Sequence, residues 1–134
     1  MLPTKEQLIQ HLSDKMTNQD IANIYGTNFQ KVIQLIIKNK LDPGELRKAN
    51  VFIVYEHWLD DEVIYVGSGL WYRMRRHTTK RHPNHKQLMK DGRVDYKIIA
   101  EFENVKEARV YEIQMIRKYK KIGQAKFNYR PHHM

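Results

Sequence analysis

The chain reads as an α+β protein, a small three-stranded sheet with helices, preceded by an all-α module of three helices. Three observations predict this. β-rich runs occur at 51–55, 63–66 and 96–102, with helical patterns between and after them. Three threonines in the first thirty residues, each followed three positions later by Gln or Asp, open helical patterns. The breaker run Asp42-Pro43-Gly44 separates the two regions. A chain of 134 residues is too short for repeated crossovers, so a doubly wound sheet is not expected.

The first module spans 1–41. Thr4 with Gln7, Thr17 with Asp20 and Thr27 with Gln30 are the candidate caps, the hydroxyl accepting an orphan amide while the later side chain reaches back. The expected buried stripes are Leu8, Ile9, Leu12 and Met16; then Ile21, Ala22 and Ile24; then Phe29, Val32, Ile33 and Ile36. Ile24-Tyr25-Gly26-Thr27 is punctuated as a helix-turn-helix, with Gly at a helix stop and Thr at the next start. The stretch 16–40 resembles helix-turn-helix DNA-binding segments of regulators and phage proteins. That resemblance implies that the later helix enters the major groove. Asn28, Gln30, Lys31, Gln34 and Lys38 are then its candidate DNA contacts, amides suiting adenine and lysine the phosphate. A plain packing or dimerisation module is the competing reading. Residues 42–50 read as a linker.

The second domain spans 51–134. Its first two runs are close enough for a hairpin, with 56–62 as a polar loop. The second run breaks at Gly67-Ser68-Gly69 and enters a basic helix from about Leu70, on which Arg73 and His77 share a face. A polar loop through His82-Pro83-Asn84 follows, then a short helix at 85–90 and a turn at Asp91-Gly92. After the third strand, Asn104 with Glu107 caps a last helix that runs to about Lys121 and stops before Gly123. Its apolar stripe is Val105, Ala108, Tyr111, Met115, Ile116 and Tyr119. Glu112 falls inside that stripe, so it needs a metal ion, a buried Arg, or a place at the edge in reach of water.

Composition narrows the partners. There are 24 Lys and Arg against 15 Asp and Glu, a formal charge of +9, and no cysteine. Disulfides, thiolate metal sites and a thiol nucleophile are excluded. No apolar run approaches a membrane span and no signal region is evident, so an intracellular protein is expected, with no membrane partner. Residues 1–50 carry 7 basic and 5 acidic side chains, leaving 17 and 10 beyond them. The basic field therefore belongs mainly to the second domain, and nucleic acid leads the partner list. No acidic residue occurs between Glu62 and Asp91, and Arg75-Arg76 adds candidate phosphate contacts, although such pairs are ordinarily solvated.

If Tyr55, Tyr65, Arg73, His77 and Glu112 converge, they make a kit for phosphodiester hydrolysis. A lone carboxylate suits hydrated Mg²⁺. Arg73 would hold phosphate oxygens. A tyrosine acting as general base needs its pKa of about 10 lowered by a neighbouring cation or histidine. The bland alternatives are strand tyrosines with wet hydroxyls and solvated histidines at His82, His85, His132 and His133.

In order and spacing these residues resemble the GIY-YIG nucleases, from about 51 to 130. The first family motif falls on Ile53-Val54-Tyr55, with Ile and Val in place of Gly and Ile, and the second on Tyr65-Val66-Gly67. The family's Arg and following His or Tyr fall on Arg73 and His77. Its metal-binding Glu falls on Glu112, its late Asn on Asn128, and a further His on either His82 or His85. The resemblance implies an antiparallel sheet flanked by helices and Mg²⁺- or Mn²⁺-dependent cleavage of double-stranded DNA. Tyr55 would then position or deprotonate water, with Tyr65 and His77 in support and Asn128 in a structural place. It also suggests a homing or phage-type enzyme that dimerises, or nicks twice, to break both strands. A DNA-binding regulator that retains the fold without catalysis is the alternative.

Overall fold

The computed structural model describes residues 1–77 and 80–128. Positions in the sequence reading beyond Asn128, including His132 and His133, lie outside the described residues. The chain forms two compact units, 1–50 and 51–134.

In the first unit, α1 (Lys5–Ser13), α2 (Asn18–Tyr25) and α3 (Phe29–Lys38) close around Leu8, Leu12, Ile21, Ala22, Val32 and Ile36. The boxes at Thr4/Gln7 and Thr17/Asp20 form with both hydrogen bonds present. The third cap is Asn28 rather than Thr27: the Asn28 carboxamide accepts from Lys31 N at 2.9 Å. Thr27 instead closes the preceding turn, donating its amide to Ala22 O, because Gly26 takes a left-handed conformation at φ 63°. The segment 42–50 is no linker. Asp42 caps a short α4 (Pro43–Leu46), and Arg47 folds back to donate to Met16 O and Asn18 Oδ1, while buried Lys15 donates to Arg47 O at 2.5 Å. These are contacts across about thirty residues of sequence, so local composition does not announce them.

The second unit is a three-stranded antiparallel sheet in the order β2-β1-β3, from β1 (Phe52–Leu59), β2 (Glu62–Gly69) and β3 (Asp95–Phe102). The expected polar loop at 56–62 is mostly strand, and only Asp60-Asp61 turns the hairpin, with Asp60 at φ 55°. Glu56 and His57 belong to β1 because each, itself buried, finds a partner on its own face. Glu56 accepts from Trp58 Nε1 at 2.8 Å and Tyr119 OH at 2.5 Å, and His57 donates from Nε2 to Met74 O at 2.7 Å.

As the central strand, β1 is covered on both sides. One face (Val54, with Val63 and Val66 of β2) packs on α6 (Val105–Lys121) through Ala108, Ile116, Tyr111, Met115 and Tyr119. The other face (Ile53, Tyr55) packs on Met74, Tyr65, Tyr96 and Ile98. Val105, expected in the buried stripe, is exposed at the start of α6. That helix is capped as expected by Asn104, which accepts from Lys106 N and Glu107 N.

The free edge of β2 is covered by 124–128. Ala125 N donates to Val63 O, Phe127 N to Ile64 O, and Val63 N to Gln124 Oε1. This seals a strand edge that would otherwise offer unpaired amides.

The basic stretch after β2 does not form the expected helix. Trp71–Arg73 makes one 3-10 turn, and its first residue has no side-chain cap at Leu70. The last helix before β3, α5 (Pro83–Lys90), starts two residues earlier than expected, capped by His82.

Candidate functional site

The site is built where β2 ends. Tyr55, fully buried on β1, faces Gly67 across the register pair Tyr55↔Gly67. A Cβ on Gly67 would lie 2.5 Å from the Tyr55 hydroxyl oxygen and 2.6 Å from its Cζ, so the Tyr-x-Gly spacing of β2 makes room for the phenol of β1. Gly69, at φ 150°, plays the same part for Arg73, whose Cγ would be 2.8 Å from an added Cβ. Tyr65, half-buried, stands beside Tyr55 with ring centroids 6.4 Å apart.

Glu112 approaches from α6, on the other face of the sheet. Ser68 Oγ donates to its Oε1 at 2.5 Å. The partner is a serine hydroxyl, on a carboxylate that stays half-buried at the edge of its stripe, the last of the three outcomes expected from periodicity. Burial pushes the Glu112 carboxyl up from its usual value, opposed by the Ser68 bond and by the charges of Arg109 and Arg73. Arg73 is the charge that acts on both Glu112 and Tyr55. Tyr55 and Glu112 thus come from opposite faces of the sheet, and each feels the Arg73 charge, after Arg81 for Tyr55 and after Arg109 for Glu112.

The tyrosine is not prepared as a base. Burial, then the neighbouring Tyr65, pushes the Tyr55 phenol up to about 12, against the pull of Arg81 and Arg73. Near neutral pH it is a donor, able to hold water or phosphate oxygen in place but not to take a proton. Its hydroxyl lies 3.4 Å from Arg73 O.

Two residues that the sequence reading missed organise this corner. Arg81 donates from Nε to Arg76 O at 2.7 Å and from Nη2 to Arg73 O at 2.8 Å, lies 5.0 Å over the Tyr65 ring, and reaches the Tyr55 hydroxyl. It supplies the 73–76 turn with the donors that a continued helix would have provided. No local pattern marks it. His57 could have been found by period two from Tyr55, since both point to one face of β1. Its Nε2 donates to Met74 O, so its Nδ1 must be the acceptor, and His85 donates to it from Nε2 at 2.8 Å. That leaves His85 Nδ1 buried with no partner among the described residues. Burial first, then Arg81, pushes both imidazoles down, His57 well below 6.5 and His85 to about 3. Both are neutral.

The remaining candidates divide. His85, between Tyr65 and Phe127 at centroid distances of 5.0 and 4.7 Å, is the histidine beside the tyrosines. His82 is the α5 cap, its Nδ1 accepting from Asn84 N at 3.0 Å. His77 does not share a helical face with Arg73, because there is no helix; its Nδ1 is buried without a partner among the described residues. Asn128 is a structural clamp: its carboxamide accepts from Val66 N at 2.8 Å and donates to Val66 O at 2.9 Å. Arg75 lies 4.5 Å over Tyr96 and Arg76 lies 5.6 Å over Tyr72.

A metal fits this corner in one way. Among the described residues no three His, Asp or Glu side chains gather in a way that could hold a metal ion. Glu112 alone, half-buried and fixed by Ser68, fits a hard ion that keeps most of its waters and takes further oxygens from phosphate. An open cleft of about 620 Å³ lies elsewhere, lined by His82, Gln87, Asp91, Arg93, Lys126 and Phe127 among others. It includes none of Tyr55, Arg73 and Glu112, and its carboxylate Asp91 is engaged by Gln87 Nε2 at 2.8 Å.

In the first unit, Gln30, Gln34 and Lys38 are exposed on α3, Lys31 is half-buried, and the Asn28 oxygen is used as a cap. Phe29 and Ile33, expected in the core, are exposed instead. Among the described residues no helix is long and apolar enough to cross a membrane. No protein-family model, no curated protein and no solved structure matches the chain.

Proposed function

We propose that the protein is a metal-dependent DNA endonuclease whose first unit lends site preference. The observation that carries this reading is the corner at the end of β2: Gly67 makes room for Tyr55 on one face, Gly69 makes room for Arg73, and Ser68 between them holds Glu112 on the other face. Glu112 would hold Mg²⁺ or Mn²⁺, which offsets phosphate charge and assists the leaving oxygen. Arg73 binds the non-bridging oxygens and stabilises charge gained in the transition state. Tyr55, protonated, would orient the attacking water by turning its single O–H from Arg73 O, 3.4 Å away, and Tyr65 stands at the half-open mouth beside it. The basic excess of the second unit supplies phosphate affinity. Tethering the two units raises the local concentration of the nuclease at a bound site. One such corner cuts one strand, so a double-strand break requires a second copy or a second nick.

A specific observation favours a second reading. The raised phenol of Tyr55 and the Ser68 bond on Glu112 also suit a DNA-binding regulator that retains the fold without turnover. Incubation of the full chain with a pool of random-sequence duplexes in Mg²⁺, Mn²⁺ or EDTA, beside Glu112→Gln and Arg73→Ala, separates them. Metal-dependent cleavage lost in both variants, with Glu112→Gln still binding, supports the nuclease. Intact DNA in every metal, with tight salt-sensitive binding, establishes the regulator.

A further inference from the structure

The exposed surface of α3 consists of two rows. Phe29, Ile33 and Ile37 recur every four residues at 44%, 37% and 69% exposure, while Val32 and Ile36 fill the core. One position further round the helix, Gln30, Gln34 and Lys38 form a second exposed row. A contiguous apolar row on a small unit calls for an occupant. Charge says which kind: no acidic residue lies between Asp20 and Asp42, whereas Lys31, Lys38 and Lys40 fall within that span. Two copies of this face would bring lysines together, while a polyanion is complementary to it.

The side chains then select within polyanions. Thymine presents a C5-methyl in the major groove, and its partner adenine presents N6 and N7, the pair that a glutamine amide meets in bidentate fashion. Guanine is read by arginine or lysine; no arginine occurs before Arg47, and the exposed row carries one lysine, Lys38, at its far end beyond the two glutamines. We propose that α3 reads A·T-rich duplex DNA in the major groove, its apolar row against thymine methyls and its glutamine row against adenine edges. This rests on the reading that the first unit binds DNA and names what it would select. The eight steps of helix from Phe29 to Ile37 rise about 12 Å, which matches about four base pairs at about 3.4 Å each.

The test uses the full chain in EDTA, so that cleavage does not intervene. Duplexes with a random 12-base-pair centre are enriched by binding and sequenced, and the best binder is then remade with deoxyuridine in place of thymidine. Expected are an A·T-rich centre and a loss of affinity on removing the methyls, about fourfold per contacted thymine. Ile37→Ser, whose parent side chain is exposed and outside the core, should bind the thymidine and deoxyuridine duplexes with a smaller difference than the parent protein. Equal binding of both duplexes by the parent, with no A·T enrichment, overturns the inference and leaves DNA binding standing. Self-association that Ile37→Ser abolishes, with DNA affinity unchanged, overturns it in favour of an interface between copies. If no duplex binds at all, the endonuclease and regulator readings fall with it.

Discussion

Asn128→Ala is the sharpest test of how the second unit is held together. The Asn128 carboxamide satisfies both backbone groups of Val66, at 2.8 and 2.9 Å, and both residues are buried. Truncation leaves a donor and an acceptor without partners inside the protein. At about 1–3 kcal/mol for each unsatisfied group, the loss should be about 2–5 kcal/mol after partial relaxation. That is a large share of the about 5–15 kcal/mol available to a domain. Asn128→Asp keeps the acceptor for Val66 N but sets a second oxygen against Val66 O, so it should cost at least as much near neutral pH. Urea unfolding followed by tryptophan fluorescence reads this cleanly, because the two tryptophans, Trp58 and Trp71, both belong to the second unit. A loss below about 1 kcal/mol in both variants would refute the clamp and return Asn128 to consideration as a residue of the reaction.

Three further outcomes follow from the same corner. Gly67→Ala drives a Cβ to 2.5 Å from the Tyr55 hydroxyl and 2.6 Å from Cζ, so it should cost about 1–3 kcal/mol in the same assay. Adding Tyr55→Phe should restore little, since Cζ remains; full recovery would show the contact to be misjudged. His57 and His85 titrate lower folded than unfolded, so stability is complete above about pH 6.5 and falls as the pH drops toward about 3 for His85. The slope is up to about 1.4 kcal/mol per pH unit for each ring. Unfolding at pH 5 and 7.5 should show this, and the double substitution to Leu should flatten it; an unchanged acid limb would place the sensitivity elsewhere. Arg81→Gln removes the donors to Arg73 O and Arg76 O, so hydrogen exchange at 73–77 should quicken and the Tyr55 phenol should titrate higher by ultraviolet absorbance. Unchanged exchange would mean that the turn holds without it.

What the sequence disclosed was local. The reciprocal caps at Thr4 and Thr17, the Asn104 cap, the strand runs and the α+β class all depend on residues three or four apart or on a short period. Where two adjacent residues both cap well, as at Thr27 and Asn28, pattern alone did not decide. Phe29 and Ile33 read as core because four apolar residues on α3 look alike. Only the packing of α1 and α2 shows that Val32 and Ile36 fill it. The larger misses are non-local. Glu56 and His57 read as loop because their partners, Tyr119 and His85, lie 63 and 28 residues away. Arg47 read as linker because its acceptor is Met16. The basic stretch after Gly69 read as helix on composition, without regard to its missing cap or to the donors that Arg81 brings from outside.

The neighbours Glu56 and His57 also guard against mispairing. Their partners stand on opposite sides of the sheet: the Tyr119 hydroxyl and Trp58 indole for the acid, the Met74 carbonyl and His85 for the imidazole. Slide β1 by one residue in either adjoining ladder and every side chain changes sides. A slip would bring a carboxylate against a carbonyl oxygen and leave the imidazole facing the apolar side of α6. Hydrophobic residues alone would tolerate that exchange, since β1 is lined by them on both faces. A polar pair with dissimilar needs does not, and it marks the one phase of the strand in which Tyr55 meets Gly67.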